Sequence, residues 1–423
     1  MQKGIISRLI IDEILISLKN EFISFDYIFE KKIKNKNISL SDKKLIQNVV
    51  FCCMRNFLTI NKIINLYVKK INYNSNNYFL ILSSIAQIIF LNFKDYAVVN
   101  STVEIAKKKD GANSKFINGL LRNIIKNKNK INIQSNFQDL PGWFVEKNKN
   151  WNKKQKIDFV KTIKEKPSLH IVFKFSNDIK KLELNGVKTS ENSIAINYTG
   201  KIENIPGFEN GLWWIQDFSV MLPVYLLKDM KNKIVIDMCA APGGKTFQAL
   251  NYGALLESYE INNEKANLMK KNLQRLNFKK NIYIKNILKI NDKKKYDIVL
   301  LDAPCTSVGT IRRNPEIFYR KKIPNFKKII SIQKNLLEKA SLIVKKKGVI
   351  IYMVCSFLKE EGEDQINIFL KKNKNYKLKH FKTKNKLYNK FINKNGLIYI
   401  LPQKIDNKFF IDGFFAAIIM KHD

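Results

Sequence analysis

Residues Ile236 to Thr246, I-D-M-C-A-A-P-G-G-K-T, compress a strand end, a tight turn and a helix start into one short stretch, and that junction constrains what the whole chain can fold into. The stretch Lys233 to Met238 alternates and ends in an apolar run suited to a buried parallel strand, and Thr246 to Leu250 begins a helical pattern. Pro242, Gly243 and Gly244 therefore occupy the crossover. Adjacent glycines permit a positive φ and let a ligand approach backbone without meeting a Cβ, while the helix behind them offers unpaired N–H groups. In an open α/β sheet a ligand lies at the carboxyl end of such a strand.

Several readings of the loop compete. A phosphate loop of the form G-x-x-x-x-G-K-[ST] is met at Gly244, Lys245 and Thr246, but its first glycine falls on Cys239, which argues against an NTPase. The dinucleotide pattern G-x-G-x-x-G also fails, because Gly243 and Gly244 have no third glycine at the required distance. A plain structural turn remains open on the loop alone, so the decision rests on the rest of the chain.

A formal net charge of +40 over 423 residues points to a polyanionic partner, most simply nucleic acid, although the wealth of Lys, Asn and Ile also fits a compositionally biased genome. At roughly 150 residues per domain, two or three domains are expected. The five cysteines, at 52, 53, 239, 305 and 355, form no C-x-x-C, so neither a disulfide framework nor a zinc knuckle is suggested and a reducing cytoplasm fits. His170, His380 and His422 are too scattered to suggest metal or triad chemistry. Asp12 and Glu13 interrupt the first apolar pattern, which speaks against a signal segment. Tyr78 to Phe93 is too short and too polar for a membrane span and reads as a core helix, so no membrane partner is expected.

From Ile5 to about Ile125 the periodicity is helical, with stripes at Ile6, Ile10, Ile14 and Leu18, at Leu45, Val49, Cys53 and Phe57, and at Phe116, Ile117, Leu120, Leu121 and Ile124. An all-α bundle around the apolar segment Leu80 to Leu91 follows, with Cys52 and Cys53 as small core residues. The charged, asparagine-rich run Lys126 to Lys130 closes this first domain, residues 1–130. Residues 131–230 read as a small α+β segment: a helix over Leu140 to Trp151, then alternation through Leu169 to Phe175 and through Ile194 to Tyr198, with His170 facing solvent. Residues 231–423 have a strand–helix–strand rhythm and predict a doubly wound, Rossmann-like sheet. Its second strand ends at Glu260, where an acid can accept from both hydroxyls of a ribose.

Two later strands end in Asp302-Ala303-Pro304-Cys305 and in Val354-Cys355-Ser356. Either cysteine alone reads most simply as a buried small residue; together, at the ligand end of one sheet, they read as chemistry. C5 of cytosine is too weak a nucleophile to take a methyl group directly, but a thiolate adding to C6 makes C5 enamine-like. A second group must then remove the C5 proton so that the first thiol can leave. Asp302 could hydrogen-bond N3 and the exocyclic amine of the base as charge moves onto the ring.

These motifs, C-A-A-P-G-G-K-T at 239–246, D-A-P-C at 302–305, I-R-R-N-P-E at 311–316 and V-C-S at 354–356, resemble those of the RNA cytosine-C5 methyltransferases. S-D-K-K-L-I-Q-N-V-V-F-C-C-M-R at 41–55 and F-I-N-G-L-L-R-N at 116–123 resemble a NusB-like domain, and the combination is similar to the bacterial enzymes acting on 16S ribosomal RNA along essentially the full chain. The resemblance implies a multidomain protein: a NusB-like helical RNA-binding domain, an α+β linker and a Rossmann-like S-adenosylmethionine-dependent methyltransferase domain. It implies that Cys355 is the nucleophile and that Cys305 assists release. It implies that Cys239, Ala240, Ala241, Pro242, Gly243, Gly244 and Lys245 cradle S-adenosylmethionine, that Glu260 holds its ribose, that Asn286 meets its adenine side and that Asp302 lies between cofactor and base. Arg312 and Arg313 would contact RNA phosphate, against the simpler reading of a solvated face; Phe414 and Phe415 would be core.

The chain departs from the family pattern at Asn286, where an acid is usual, at Val354, where threonine is usual, and at Glu260, where aspartate is commoner. Two rivals remain: the same chemistry on transfer RNA or another ribosomal site, and a non-catalytic RNA-binding or assembly protein that keeps the fold. The intact Cys305 and Cys355 speak against the latter.

Overall fold

The computed structural model describes residues 4–131, 134–291 and 293–422, which form two compact units. The first comprises residues 1–165 with 311–324; the second comprises 166–310 with 325–423.

The first unit is a helical bundle of α1 (Ile5–Asn20), α2 (Phe25–Ile33), α3 (Leu40–Tyr67), α4 (Asn76–Ile85), α5 (Asp95–Lys108), α6 (Ser114–Lys126), α7 (Gly142–Lys147) and α8 (Lys153–Lys164). Short polar side chains start several of these helices by accepting the N–H groups that no helical carbonyl reaches: Ser39 from Asp42, Ser75 from Tyr78, Asn113 from Phe116 and Asn152 from Gln155. The expected stripes supply the core through Ile10, Ile14, Leu18, Val49, Cys53, Ile117, Leu121 and Ile124, whereas Ile6 and Phe116 at their edges stay exposed. Helix α4 and the π-turn Ala86–Phe90 behind it carry the central buried segment, as the apolar run predicts. Helix α3 is long and apolar enough to cross a membrane, yet half of that window is buried in the bundle.

One expectation changes here. The helix over Leu140 to Trp151 contracts to Gly142–Lys147, because Pro141 starts it and Asn148 ends it with its own N–H turned back to Phe144 and Val145. The compact unit continues beyond the lysine- and asparagine-rich run: Asp139 accepts Lys62 Nζ at 2.7 Å and Lys164 Nζ at 2.9 Å, and Phe144 stacks on Phe159. Residues 311–324 join this unit from far along the chain: Tyr319 enters its core, Lys321 N–H donates to Lys19 O at 2.9 Å, and Arg320 donates to Ile23 O at 2.7 Å.

The second unit begins with a four-stranded antiparallel sheet of β1 (Leu169–Phe173), β2 (Val187–Ser190), β3 (Ser193–Ile196) and β4 (Trp213–Ile215), in the order β2-β3-β1-β4, with α9 (Ser176–Lys181) between its first two strands. His170 is not solvent-facing. Its Nε2 lies 2.8 Å from Phe410 O and 3.6 Å from the Asp217 carboxylate, because the distant hairpin that carries Phe410 covers that strand face.

After α10 (Phe218–Leu226) the larger sheet follows as β5 (Ile234–Asp237), α11 (Gly244–Asn251), β6 (Leu255–Glu260), α12 (Asn263–Arg275), β7 (Ile282–Ile284) and β8 (Tyr296–Asp302). The chain then passes through α13 (Glu316–Tyr319) in the helical unit and returns as α14 (Phe326–Ile343), β9 (Val344–Val354), α15 (Glu363–Lys372), β10 (Tyr376–Lys379), α16 (Lys386–Asn389), β11 (Ile398–Ile400), β12 (Gln403–Ile405), β13 (Phe409–Ile411) and β14 (Phe414–Lys421). The sheet order is β10-β14-β9-β8-β5-β6-β7, with β11 on β14; β5 to β9 run parallel and β14 is antiparallel to β9.

Alternation along each buried strand splits its side chains between two cores. Val235, Leu256, Ile298 and Ile351 meet Phe247, Ala266 and Met269 on one face, while Ile236, Val299, Ile350 and Tyr352 meet Leu336, Ala340, Ile366 and Phe369 on the other. Phe414 and Phe415 take one face each and are buried, as expected. The result is a Rossmann-like fold in which the carboxyl ends of β5, β6, β8 and β9 open on the same side.

Candidate active site

Strand β5 ends in Asp237, whose buried carboxylate organises the loop beyond it. Thr246 Oγ1 donates to Asp237 Oδ2 at 2.7 Å, and the Cys239 N–H also donates to the carboxylate. Burial, reinforced by the nearby Asp302 charge, pushes this acid up to about 7 despite those donors. Gly243 at φ 114° caps α11, and a Cβ there would stand 2.2 Å from the Phe247 ring, so glycine is required for both conformation and space. The Lys245 side chain turns inward and its Nζ donates to Asp302 Oδ2 at 2.6 Å.

Beside this loop lies a cavity of about 500 Å³, a size suited to a nucleoside-like ligand. Cys239, Ala241, Glu260, Asn286, Asp302, Cys305 and Cys355 all reach its wall, together with Ile261, Ile287, Leu288, Ile332 and Leu336. Glu260 is held by N–H donors from Asn262 at 2.8 Å and Ala241 at 3.3 Å, and the carboxylate keeps acceptor capacity for a ligand hydroxyl. Asn286 Oδ1 accepts Leu288 N–H at 3.0 Å, which fixes the turn below the cavity. Apolar walls flanking an acid at the end of β6 suit a nucleoside-like ligand. Of the sequence-predicted loop residues, Cys239 and Ala241 line the cavity, while Ala240 is buried and Gly244 packs against Gln216.

The two thiols share the cavity but not their surroundings. Cys355 lies within the electrostatic reach of Lys245, whose ammonium is held above its ordinary range: burial opposes the charge, but Asp302, Cys355 and Asp237 outweigh it. Cys305 is pushed well above the usual thiol range, first by burial and then by the charges of Glu361, Cys355 and Asp302. Cys239 is likewise raised by burial and by Asp237, Asp302 and Glu260, which makes it a wall residue and not a nucleophile.

Two acids, Asp237 and Glu361, stand at or behind the site without being singled out by the sequence motifs. The order I-D-M-C-A-A-P-G-G-K-T does carry a signal for the first, since an acid at a buried strand end needs partners. Arg312 and Arg313 lie outside the cavity wall, in the helical unit. Arg312 is fully buried and its carbonyl accepts Arg55 Nη2 at 2.8 Å, so it has no exposed surface for the RNA-phosphate contact expected of it, nor the solvated face of the simpler reading; Arg313 is partly exposed.

Residues 224–420 match the family described as 16S rRNA methyltransferase RsmB/F, and residues 6–126 match the NusB family. The ribosomal RNA small subunit methyltransferase B of Proteus mirabilis is 28% identical over 364 residues, which cover 79% of this chain and 85% of that protein. Its counterpart in Photorhabdus laumondii is 26% identical over 365 residues, covering 81% and 85%. The crystal structure of NSun6 from Pyrococcus horikoshii with SFG covers 67% of this chain and 98% of its own at a TM-score of 0.56 and 17% identity, a likeness of fold.

Proposed function

We propose that the chain, whose residues 224–420 match the 16S rRNA methyltransferase RsmB/F family behind a NusB-family match at 6–126, methylates C5 of a cytosine in 16S ribosomal RNA through a covalent Cys355 adduct. The observation that carries the reading is the convergence of Cys305, Cys355, Asp302 and Glu260 on one cavity at the carboxyl ends of adjacent strands.

S-adenosylmethionine supplies an electrophilic methyl group. Ile261, Leu288 and Leu336 would hold its adenosine, with Glu260 accepting from the ribose and Asn286 at the adenine side. The Cys355 thiolate adds to C6 of the cytosine, forming an S–C6 bond and moving the C5–C6 electron pair onto C5. C5 would then take the methyl group as the donor's methyl–sulfur bond breaks, its electron pair staying on sulfur. The C5 proton passes to Cys305 acting as base, the C5–H pair restores the ring double bond, the S–C6 bond breaks and Cys355 leaves as thiolate. Burial and neighbouring charges raise the proton affinity of Cys305, which suits it to accept a proton rather than to attack C6. Asp302, fixed by Lys245, hydrogen-bonds the polar edge of the base. Partly exposed Arg313 provides a phosphate contact outside the cavity.

Incubation with 16S rRNA and labelled S-adenosylmethionine tests the reading. Cys355→Ala should abolish transfer, and Cys305→Ala should accumulate a protein–RNA adduct that survives denaturant. Full transfer by Cys355→Ala would assign the nucleophile elsewhere, and tight RNA binding without transfer by the wild type would favour an assembly role.

A further inference from the structure

Behind the two thiols, and outside the cavity wall, a single buried carboxylate touches both loops that carry them. Glu361 Oε1 accepts the Thr306 N–H at 2.7 Å, and its Oε2 accepts the Thr306 hydroxyl at 2.5 Å and the Ser356 hydroxyl at 2.5 Å. Thr306 follows Cys305 and Ser356 follows Cys355. The side chain of Gln333 on α14 reaches the same network, donating to Glu361 Oε1 at 3.3 Å and to Pro304 O at 3.0 Å. The Glu361 carbonyl in turn accepts the Tyr352 hydroxyl from inside β9 at 2.6 Å. Glu361, Ser356 and Gln333 have no exposed surface, and Thr306 has almost none.

A buried carboxylate is costly unless donors surround it, and four donors meet this one. All come from the segments flanking the two cysteines or from the helix packed behind them. Removing the carboxylate leaves two hydroxyls and a backbone N–H inside without a shared acceptor, and leaves the Gly309 N–H on Cys355 O, at 3.0 Å, to hold the two loops together.

We propose that Glu361 is a positioning residue that clasps the Cys305 and Cys355 loops together, setting the spacing of the two thiols across the base. This rests on the two-thiol reading given above. The clasp is geometric first, since it acts through Thr306 and Ser356 and touches no reacting atom. Its charge has a second effect: it adds to the burial that holds the Cys305 thiol well above the usual range.

Glutamine and alanine at this position divide the two effects. The Ser356 and Thr306 hydroxyls can each rotate to accept from an amide, so Glu361→Gln retains the joint and loses the charge. Glu361→Ala loses both. In the full chain acting on 16S rRNA, Glu361→Ala should lower kcat by about 100-fold, the scale expected when reacting groups drift by an ångström, with KM for S-adenosylmethionine little changed. Glu361→Gln should recover most of that loss. Separately, iodoacetamide labelling of Cys305 across pH, read by mass spectrometry with neither RNA nor cofactor present, should shift to lower pH in Glu361→Gln.

The proposal is overturned if Glu361→Ala turns over like the wild type, or if glutamine and alanine lose activity equally in folded protein. If the alanine variant does not fold, the Cys305 labelling profile of Glu361→Gln decides, and an unshifted profile overturns it. A wild type that methylates no RNA would defeat the proposed function, while the labelling profile would still report on the clasp.

Discussion

The Nζ of Lys245 stands 2.6 Å from Asp302 Oδ2, with the lysine side chain 6% exposed and the aspartate 28% exposed toward the cavity. The lysine is thus a buried counter-ion that aims a carboxylate at the place where the base would lie. Without it, Asp302 has no reason to hold one rotamer, and the Cys355 thiolate loses a nearby positive charge. Lys245→Met should cut kcat by about 100-fold, the scale of losing one preorganised electrostatic group. Because the coupling between lysine and thiolate is mutual, iodoacetamide should also label Cys355 more slowly at neutral pH. Asp302→Asn in the same chain should add little, since the two residues act as one unit. Strictly additive losses in the double variant would show that the pair works as two separate contacts.

Cofactor affinity should respond to Asn286 without cost to the fold. Its Oδ1 accepts the Leu288 N–H at 3.0 Å, a role that aspartate fills equally well, so Asn286→Asp changes what the side chain offers the cavity and leaves the turn intact. An acid accepts from the amino and hydroxyl edges of an adenosine more strongly than an amide does, by about 1 kcal/mol. Calorimetric titration with S-adenosylmethionine should therefore show several-fold tighter binding for Asn286→Asp and weaker binding for Glu260→Ala. Unchanged affinity in both would place the nucleoside elsewhere.

The features legible in sequence were those whose cause is local. The strand, glycine turn and helix at Ile236 to Thr246 announce themselves in consecutive residues, and Cys305 and Cys355 fall at strand ends that the apolar runs already delimit. Where the reading failed, the deciding contact is remote. His170 alternates onto a face that looks free until the hairpin bearing Phe410, 240 residues later, covers it. Arg312 looks available to an RNA phosphate because nothing nearby in sequence shows that residues 311–324 pack with the helical bundle, where Glu316 accepts the Phe25 N–H and Arg312 is fully buried. Glu361 sits in a run of acids that reads as surface, and only the fold brings Thr306 and Ser356 to it.

Backbone contact behind Cys355 leaves no room for a side chain at Gly309. Its N–H donates to Cys355 O at 3.0 Å and its carbonyl accepts the Gly413 N–H at 2.8 Å. A Cβ on Gly309 would stand 2.0 Å from Gly413 O and 3.0 Å from Cys355 O, so two backbone segments would have to part. Gly309→Ala should cost about 1–3 kcal/mol, the usual scale of overpacking, and should displace Cys355. Thermal unfolding should show a lowered midpoint and methyl transfer should fall by more than the folded fraction does. An alanine variant with wild-type midpoint and turnover would mean that these strands yield freely.

The helical unit contains a cation that works against its own fold. Lys19 is 8% exposed, its Nζ 4.5 Å from the Tyr78 ring centre, 5.4 Å from that of Tyr319 and 5.9 Å from those of Tyr73 and Phe79. Burial, with Lys321 nearby, lowers this ammonium to about 8. A lysine lowered in the folded state binds fewer protons there than in the unfolded chain between about 8 and its ordinary 10.5, so stability rises with pH across that window. Below about 8 the folded protein carries the full penalty of the buried charge, only partly offset by the aromatic rings. Lys19→Met keeps the unbranched stem against those rings and removes the charge. It should stabilise the protein by on the order of 1–3 kcal/mol at pH 7, an advantage that shrinks as pH climbs from about 8 to 10.5. Urea unfolding of both proteins at pH 7 and at pH 10.5 measures the difference. A methionine variant less stable at pH 7, or an advantage that does not narrow at high pH, would show that the rings hold the cation at no net cost.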